Sequence, residues 1–297
     1  MPRPNLYYEE RMPSPLQRVW LEFRRNAFAI GALYILIFIV FISLFGPLLT
    51  PYGPNQQFID AISLPPAWSV NGDVRFLLGT DELGRDMITR LIYGARYSFA
   101  LPLLVVIISA LIGVTLGAVA AMTVGVKSST LKHLLDVLMS IPSLLLALVI
   151  IALTGPGLGN ALLAIGLVMI PQFLHVTRNA IHDERRKPYV TASRLNGVSD
   201  YYLLTMVFFP NIVRVLVIQF TIGLSVAIFD IAALGFLRLG AQAPTPEWGS
   251  MLAQSLEVAY VTPWVMALPG LALFITLVSV NLVGETLRQA IQKQLEQ

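Results

Sequence analysis

The sequence predicts an all-α integral membrane protein with about six transmembrane helices. Two observations carry that prediction. Residues of the AVILMFWYC set make up 56% of the 297, and charged residues only 12%, about half the share in an ordinary globular domain. The apolar residues also gather in long runs nearly free of charge, close to the ~20 residues a helix needs to cross a bilayer while satisfying its own backbone. Mean hydropathy is +0.72. A water-soluble fold has too little polar surface to cover so much apolar material, and disorder, collagen and coiled coil are excluded with it. The formal charge of +3 is too small and too scattered for a nucleic-acid partner. With no cysteine, disulfides, thiolate metal sites and cysteine nucleophiles are absent.

The runs follow in order. Ala27 to Leu49 carries no charge. Phe99 to Val124 holds Gly113 and Gly117 at a spacing that lets helices approach closely. Leu134 to Leu153 has Asp136 near its start, and Leu158 to about Leu174 is shorter. Ile212 to Leu237 is interrupted by Arg214 and Asp230. Trp264 to Gly284 is the sixth. An even number of crossings returns both termini to one side. Of the 20 basic residues, 15 fall on that side, in the N-terminal tail (residues 1–26), the Lys127–Lys132 loop, the segment after the fourth run and the C-terminal tail (residues 286–297). The other side has Arg75, Arg85, Arg90, Arg96 and Arg238 among seven acids. The positive-inside rule makes both termini cytoplasmic. The polar tail and the length of the first run predict an uncleaved anchor rather than a signal peptide.

Three polar segments separate the spans. In the outer loop, residues 50–96, the stretch LGTDELGRDMITRLIYGAR predicts an amphipathic helix. Thr80 is its cap, Asp81 and Glu82 lie in its first turn, and an apolar stripe packs on the span tops. In the cytoplasmic loop, residues 179–210, Pro188 suits a first helical turn and Tyr189 to Leu195 a short helix. Gly197 is placed to end it, and Ser199 to cap a second piece running towards Pro210. That elbow is either an inert surface feature or a knob that docks into a soluble partner, and the residues alone favour neither. In the outer loop after the fifth run, Trp248 and Trp264 read as interfacial anchors, and Glu247 is one of the seven outer acids, with a smaller effect expected on its substitution than on that of Asp230.

No enzyme chemistry is legible. The only look-alike to a nucleotide-binding G-x-x-x-x-G-K-[ST] loop has Ala121 and Val126 at its two glycine positions and fails twice. His133, His175 and His182 lie at span edges without metal-pair spacing. Asp230 is the one acid well inside a span, a pathway or structural candidate because an intramembrane carboxylate must find a partner. No second intramembrane acid or histidine is read as a proton relay for it.

Taken together, four motifs resemble one family. LGTDELGRDMITRLIYGARYS is similar to the outer-loop signature of the inner-membrane permease subunits of bacterial ABC importers, of the dipeptide/oligopeptide/nickel C type. YVTASRLNGVSDYYLLTMVFFPN resembles its cytoplasmic coupling loop. LGFLRLGAQAPTPEWGSML and WVMALPGLALFITLVSVNLVGETLR resemble its later loop and last span. The words HDERRKPYV, DIAALGFLRLGAQ and SIPSLLLA are most similar to the Sap branch, named for antimicrobial peptide sensitivity. Three residues depart from the pattern. Thr191 stands where the family usually has Glu, Ser193 where it has Ala, and Arg238 where it has Gly.

The resemblance implies a type I importer permease fold, an N-terminal span (27–49) followed by a five-helix core (97–285), in the bacterial inner membrane. It implies a heterodimer with a B-type permease, two cytoplasmic ATPase subunits and a periplasmic solute-binding protein. This chain would hold no cofactor, the ATP being hydrolysed by the partner subunits. Tyr189, Thr191, Ala192, Ser193, Arg194, Gly197 and Pro210 would form the ATPase-coupling loop, with Arg194 as a polar contact to the partner. A stand-alone transporter using Asp230 as a proton site is the alternative.

Overall fold

A computed structural model describes residues 15–122 and 126–295, with side chains from 17 to 122 and 133 to 293. Arg3, Arg11 and the rest of the tail before Pro15, the side chains of Lys127 and Lys132, and Gln297 lie outside the described residues. The elements are α1 (Pro15–Arg24), α2 (Ala27–Leu49), α3 (Met87–Ala95), α4 (Leu101–Met122), α5 (Val126–Met139), α6 (Ser143–Thr154), α7 (Leu158–Arg185), α8 (Pro188–Leu195), α9 (Asp200–Tyr202), α10 (Phe209–Phe236), α11 (Trp248–Ser255) and α12 (Pro263–Leu295).

The first span begins where the sequence predicts, because the Asn26 carboxamide caps it by accepting from the Phe28 and Ala29 amides. Its buried face is a seam of mostly small residues, Ala29, Ala32, Ile39, Ser43 and Gly46, which lets α2 lie close along α12 and α3. The same device joins α4 to α7. A β-carbon on Gly113 would sit 2.5 Å from Phe173 Cβ, and one on Gly117 2.7 Å from the Leu174 carbonyl oxygen. Van der Waals packing at this distance replaces the hydrophobic drive that lipid cannot supply.

Three spans differ from expectation. The second does not start near Phe99. It is one rod from Met87 to Met122, in which α3 runs through a π-helical turn (Arg96–Ala100) into α4. The third is broken, since its two halves, His133–Met139 and Ser143–Thr154, meet at 89°. Pro142 has no amide proton and cannot continue α5. The fourth is longer, because α7 continues 11 residues past Leu174 to Arg185.

Among the described residues five helices are long and apolar enough to cross a membrane, and the bent pair, counted as one span, makes a sixth. α6 alone, at ~18 Å, is too short for a ~30 Å hydrocarbon core. Connectivity nevertheless requires the pair to cross. Arg185 donates to the Ala121 carbonyl, placing the ends of α4 and α7 together. The Gly157 amide donates to the Leu239 carbonyl at 3.0 Å, placing the start of α7 beside the loop after α10. The chain must travel from one end of the bundle to the other between α4 and α7.

The termini meet. Asn26 donates to Thr286 at 3.3 Å, Glu22 pairs with Lys293, and Phe23 packs on Ala290. That end, which also carries α8 and most of the lysines and arginines, is called the basic end below, and the opposite one the far end.

Candidate functional site

At the basic end the chain between α7 and α10 folds into two short pieces around a glycine. α8 starts with Pro188 in its first turn and stops in a paired turn. The Val198 amide donates to Ser193 O at 3.2 Å and the Gly197 amide to Arg194 O at 3.0 Å. This is the six-to-one and five-to-two pattern that closes a helix on a left-handed residue. Gly197 has φ +77° and nothing within 4 Å of where a β-carbon would stand, so glycine is needed for torsion alone. Ser199 then caps α9 by accepting from the Tyr202 amide at 3.3 Å.

The knob is exposed at its tip and fastened at its base. Thr191, Ala192, Arg194, Leu195 and Gly197 face outward, Ser193 is half-buried, and Leu195 is 84% exposed. Val190, Leu203 and Phe208 are buried in a small core with Ala121, Ile181 and Ile212. The Tyr189 hydroxyl donates to the Glu184 carboxylate of α7 and accepts from Asn211 of α10 at 3.2 Å. Burial and then the Glu184 bond push the Tyr189 phenol up to about 12. One side chain thus ties the knob to two spans. Ser193 spends its hydroxyl on Tyr189 O at 2.9 Å. Arg194 reaches across the turn to Asp200 at 3.2 Å, an exposed pair worth well under ~1 kcal/mol.

The knob passes into α10 without a break, through a π-helical turn at Leu203–Phe208. Pro210 accounts for it. Its ring removes an amide donor and clashes with the carbonyl four residues back, Met206, so the helix widens there. Pro102 stands in the same relation to the π-turn at Arg96–Ala100.

The remaining candidates lie apart from the knob. Asp230 is buried and accepts from Ser143 Oγ at 2.9 Å, joining α10 to the bend between α5 and α6. The far-end loops are more tightly built than the sequence suggests. Thr80 does not cap a helix; the cap is Asp86, which accepts from the Thr89 amide at 2.8 Å, and the helix starts at Met87. Gly79 and Gly84, with φ +78° and +70°, turn residues 79–86 into a closed loop instead. Inside it Asp81 pairs with Arg85 at 2.6 Å and lies 3.5 Å from the fully buried Arg90.

Trp248 is not an interfacial anchor. It is buried, and its indole donates to Leu91 O at 3.0 Å. Trp264, half-buried, donates to Thr80 O at 3.3 Å. The outer acid Glu247 is fully buried and caps α11, accepting from Gly249 N, Ser250 N and Ser98 Oγ at 2.7–2.9 Å. Burial outweighs those three donors and raises its carboxyl to about 7.

One group of residues was missed. On α7, Gln172, His175, Asn179 and His182, followed by Arg186 at its C-cap, recur at spacings of 3, 4, 3 and 4, and so share a face. The spacing was there to be read, but ending the fourth run at Leu174 placed His175 and His182 at the edge of a span rather than along one face of a longer helix. Among the described residues no group of three or more His, Cys, Asp or Glu could hold a metal ion.

Residues 113–297 match the family described as the binding-protein-dependent transport system inner membrane component. Residues 14–66 match the N-terminal TM domain of oligopeptide transport permease C. The chain is 44% identical to the di/tripeptide transport system permease protein DppC of Pseudomonas aeruginosa over 99% of its length and 95% of that protein's. It is also 44% identical to the peptide transport system permease protein SapC of Escherichia coli over 98% of both chains. Among solved structures, inward-facing MetNI methionine ABC transporter is similar in fold, with a TM-score of 0.56 at 20% identity, covering 69% of this chain and 97% of that one.

Proposed function

The chain belongs to the inner membrane components of binding-protein-dependent transport systems, and from that premise we propose that it carries peptides across the inner membrane. It is a multi-pass permease subunit of an ABC transporter and not itself an enzyme; ATPase subunits and a substrate-binding protein belong to such a system. In the finer reading it pairs with a B-type permease, takes two ATPase subunits at the basic end and a periplasmic binding protein at the far end, and has both termini in the cytoplasm. It binds no cofactor of its own, and ATP is hydrolysed by the ATPase subunits.

The observation that carries the reading is the knob. Thr191, Ala192, Arg194 and Gly197 form an exposed tip, Ser193 is half-buried behind it, Tyr189 ties the base to α7 and α10, and Pro210 opens α10 itself. A load on the tip therefore reaches two spans at once. Closure of the ATPase subunits displaces the tip, and the spans re-orient as rigid rods. With Thr191 in the family's acidic position, the contact to the ATPase rests on shape and on Arg194 rather than on an acid. Asp230, enclosed and bonded to Ser143, holds α10 against the bend of α6. No finding supports a proton site there.

The test is transport by the intact complex. Vesicles holding the native assembly should take up a tripeptide with ATP present and an ionophore abolishing the proton gradient. Uptake by the purified chain alone under a proton gradient would overturn the reading.

A further inference from the structure

The polar face of α7 has no role so far. Gln172, His175 and Asn179 are half-buried and His182 is exposed, while the opposite face of α7, through Phe173, Leu174 and Thr177, is packed on Gly113 and Gly117 of α4. The stripe begins ~21 Å along a helix that starts at the far end, so its first residues lie within a ~30 Å hydrocarbon core. His175 stands at its centre. Its Nδ1 is 3.7 Å from the Asp136 carboxylate of α5, and its Nε2 is 2.8 Å from the Asn179 amide nitrogen. With Asn179 donating to Nε2, the ring proton sits on Nδ1 and faces Asp136. Asp136 keeps 44% of its side chain exposed, and among the described residues only His175 stands beside its carboxylate, at 3.7 Å.

An ionisable pair and two amides on one face of a span are costly against lipid and belong against water or protein. We infer that the face formed by Gln172, His175 and Asn179 of α7, with Asp136 of α5, is the wetted wall of the solute path in its basic-end half. There Asp136 receives cationic groups of the passing solute. The inference rests on the permease reading above and adds the residues that line the path. Resting the pair on the α5–α6 bend has a mechanical consequence. Asp136 lies four residues before the break at Ser140–Pro142 and moves with α5, so motion at that break opens or closes the wall.

The chain contains no cysteine, which makes the test direct. Gln172→Cys and Asn179→Cys are placed singly in the complete transporter, with Leu167→Cys, an exposed apolar position on the same helix, as the reference. Inside-out vesicles are treated with a membrane-impermeant trimethylammonium methanethiosulfonate. Gln172→Cys should react about tenfold faster than Leu167→Cys without nucleotide, because only a wetted position is reachable by a charged reagent. The rate should fall severalfold when ATP and vanadate trap the ATPases closed. Asp136→Asn should lower uptake of a lysine-containing tripeptide severalfold more than that of a neutral one. Wild-type uptake, measured in right-side-out vesicles of the same preparation that enclose ATP, separates the premise from the inference. If uptake is present but Gln172→Cys is unreactive in every state, the face is covered by the second permease and the inference fails. It fails too if the rate is unchanged by trapping, as for a site at the lipid headgroups, or if both peptides decline equally.

Discussion

Arg238 shows how a departure from a family pattern is read once a backbone angle is known. It stands where the resemblance described above leads one to expect glycine, and its φ is +60°, the left-handed region that a β-carbon penalises by ~1–2 kcal/mol. Its ion pair with Glu257, 3.8 Å long and exposed on both sides, offsets little of that cost. Glycine would relieve the strain but add ~0.4–1 kcal/mol of chain entropy to the unfolded state. Arg238→Gly is therefore expected to stabilise by only about 0.5 kcal/mol, the difference between those two effects, seen as a small rise in the unfolding temperature in detergent. Glu247 makes a stronger claim. Its carboxyl titrates near 7 when folded, against an ordinary value of 4.5, so between those values the folded chain holds a proton that the unfolded chain has released. Stability must fall as pH rises from about 4.5 to about 7, by up to ~3 kcal/mol, and level off above. Glu247→Gln should flatten that slope in a denaturation series across pH. An unchanged slope would assign it to other groups.

At the scale of elements, the knob depends on one torsion and the bundle on one close approach. Gly197 meets no neighbour where a β-carbon would be, so substitutions there separate torsion from bulk. Gly197→Val should cost ~1–2 kcal/mol locally and abolish peptide-stimulated ATP hydrolysis while the chain still inserts. Gly197→Asn, which tolerates the left-handed region, should retain most of it. Equal activity in both variants would remove the turn from coupling. Gly117 is the opposite case, since the obstacle is the Leu174 carbonyl oxygen at 2.7 Å, which no rotamer change can move. Gly117→Val should part α4 from α7 and cost ~1–3 kcal/mol or more, measured as lost assembly in detergent. The same scale explains the π-turns, because Pro102 and Pro210 each forbid the ordinary bond four residues back. Pro210→Ala should convert that widened turn towards α-helix, and slow hydrogen exchange at the backbone amide gained at position 210 would report its bond to the Met206 carbonyl.

At the scale of the whole molecule, contact between the termini is a statement about parity. Bonds from Glu22 and Asn26 to Lys293 and Thr286 close the chain at one end, so the spans between them must be even in number. With five long helices and one bent pair, the pair has to be counted as a crossing. Epitopes placed before Pro15 and after Gln297 should share one protease sensitivity in intact spheroplasts, both protected. Cleavage of one alone would mean the bent pair re-enters rather than crosses.

Much of this was legible in the sequence. The ends of α2, the two pieces of the knob, the glycine between them and the serine cap all follow from rules acting over four or five residues. What the sequence by itself determined is therefore the class, the approximate number of membrane spans and the turns of the knob, because hydrocarbon enforces backbone pairing within each helix and leaves long apolar runs as the dominant signal. Only the tertiary structure decided that Glu247 and Trp248 are core residues rather than loop and belt residues. It alone closed residues 79–86 into a loop around Asp81, and brought Asp136 beside His175 across 39 positions. Those outcomes depend on which helix face meets which neighbour. In lipid, apolar contacts between helices look like apolar contacts with solvent, so the partners of a buried polar group are set by packing at close range and leave no trace in composition.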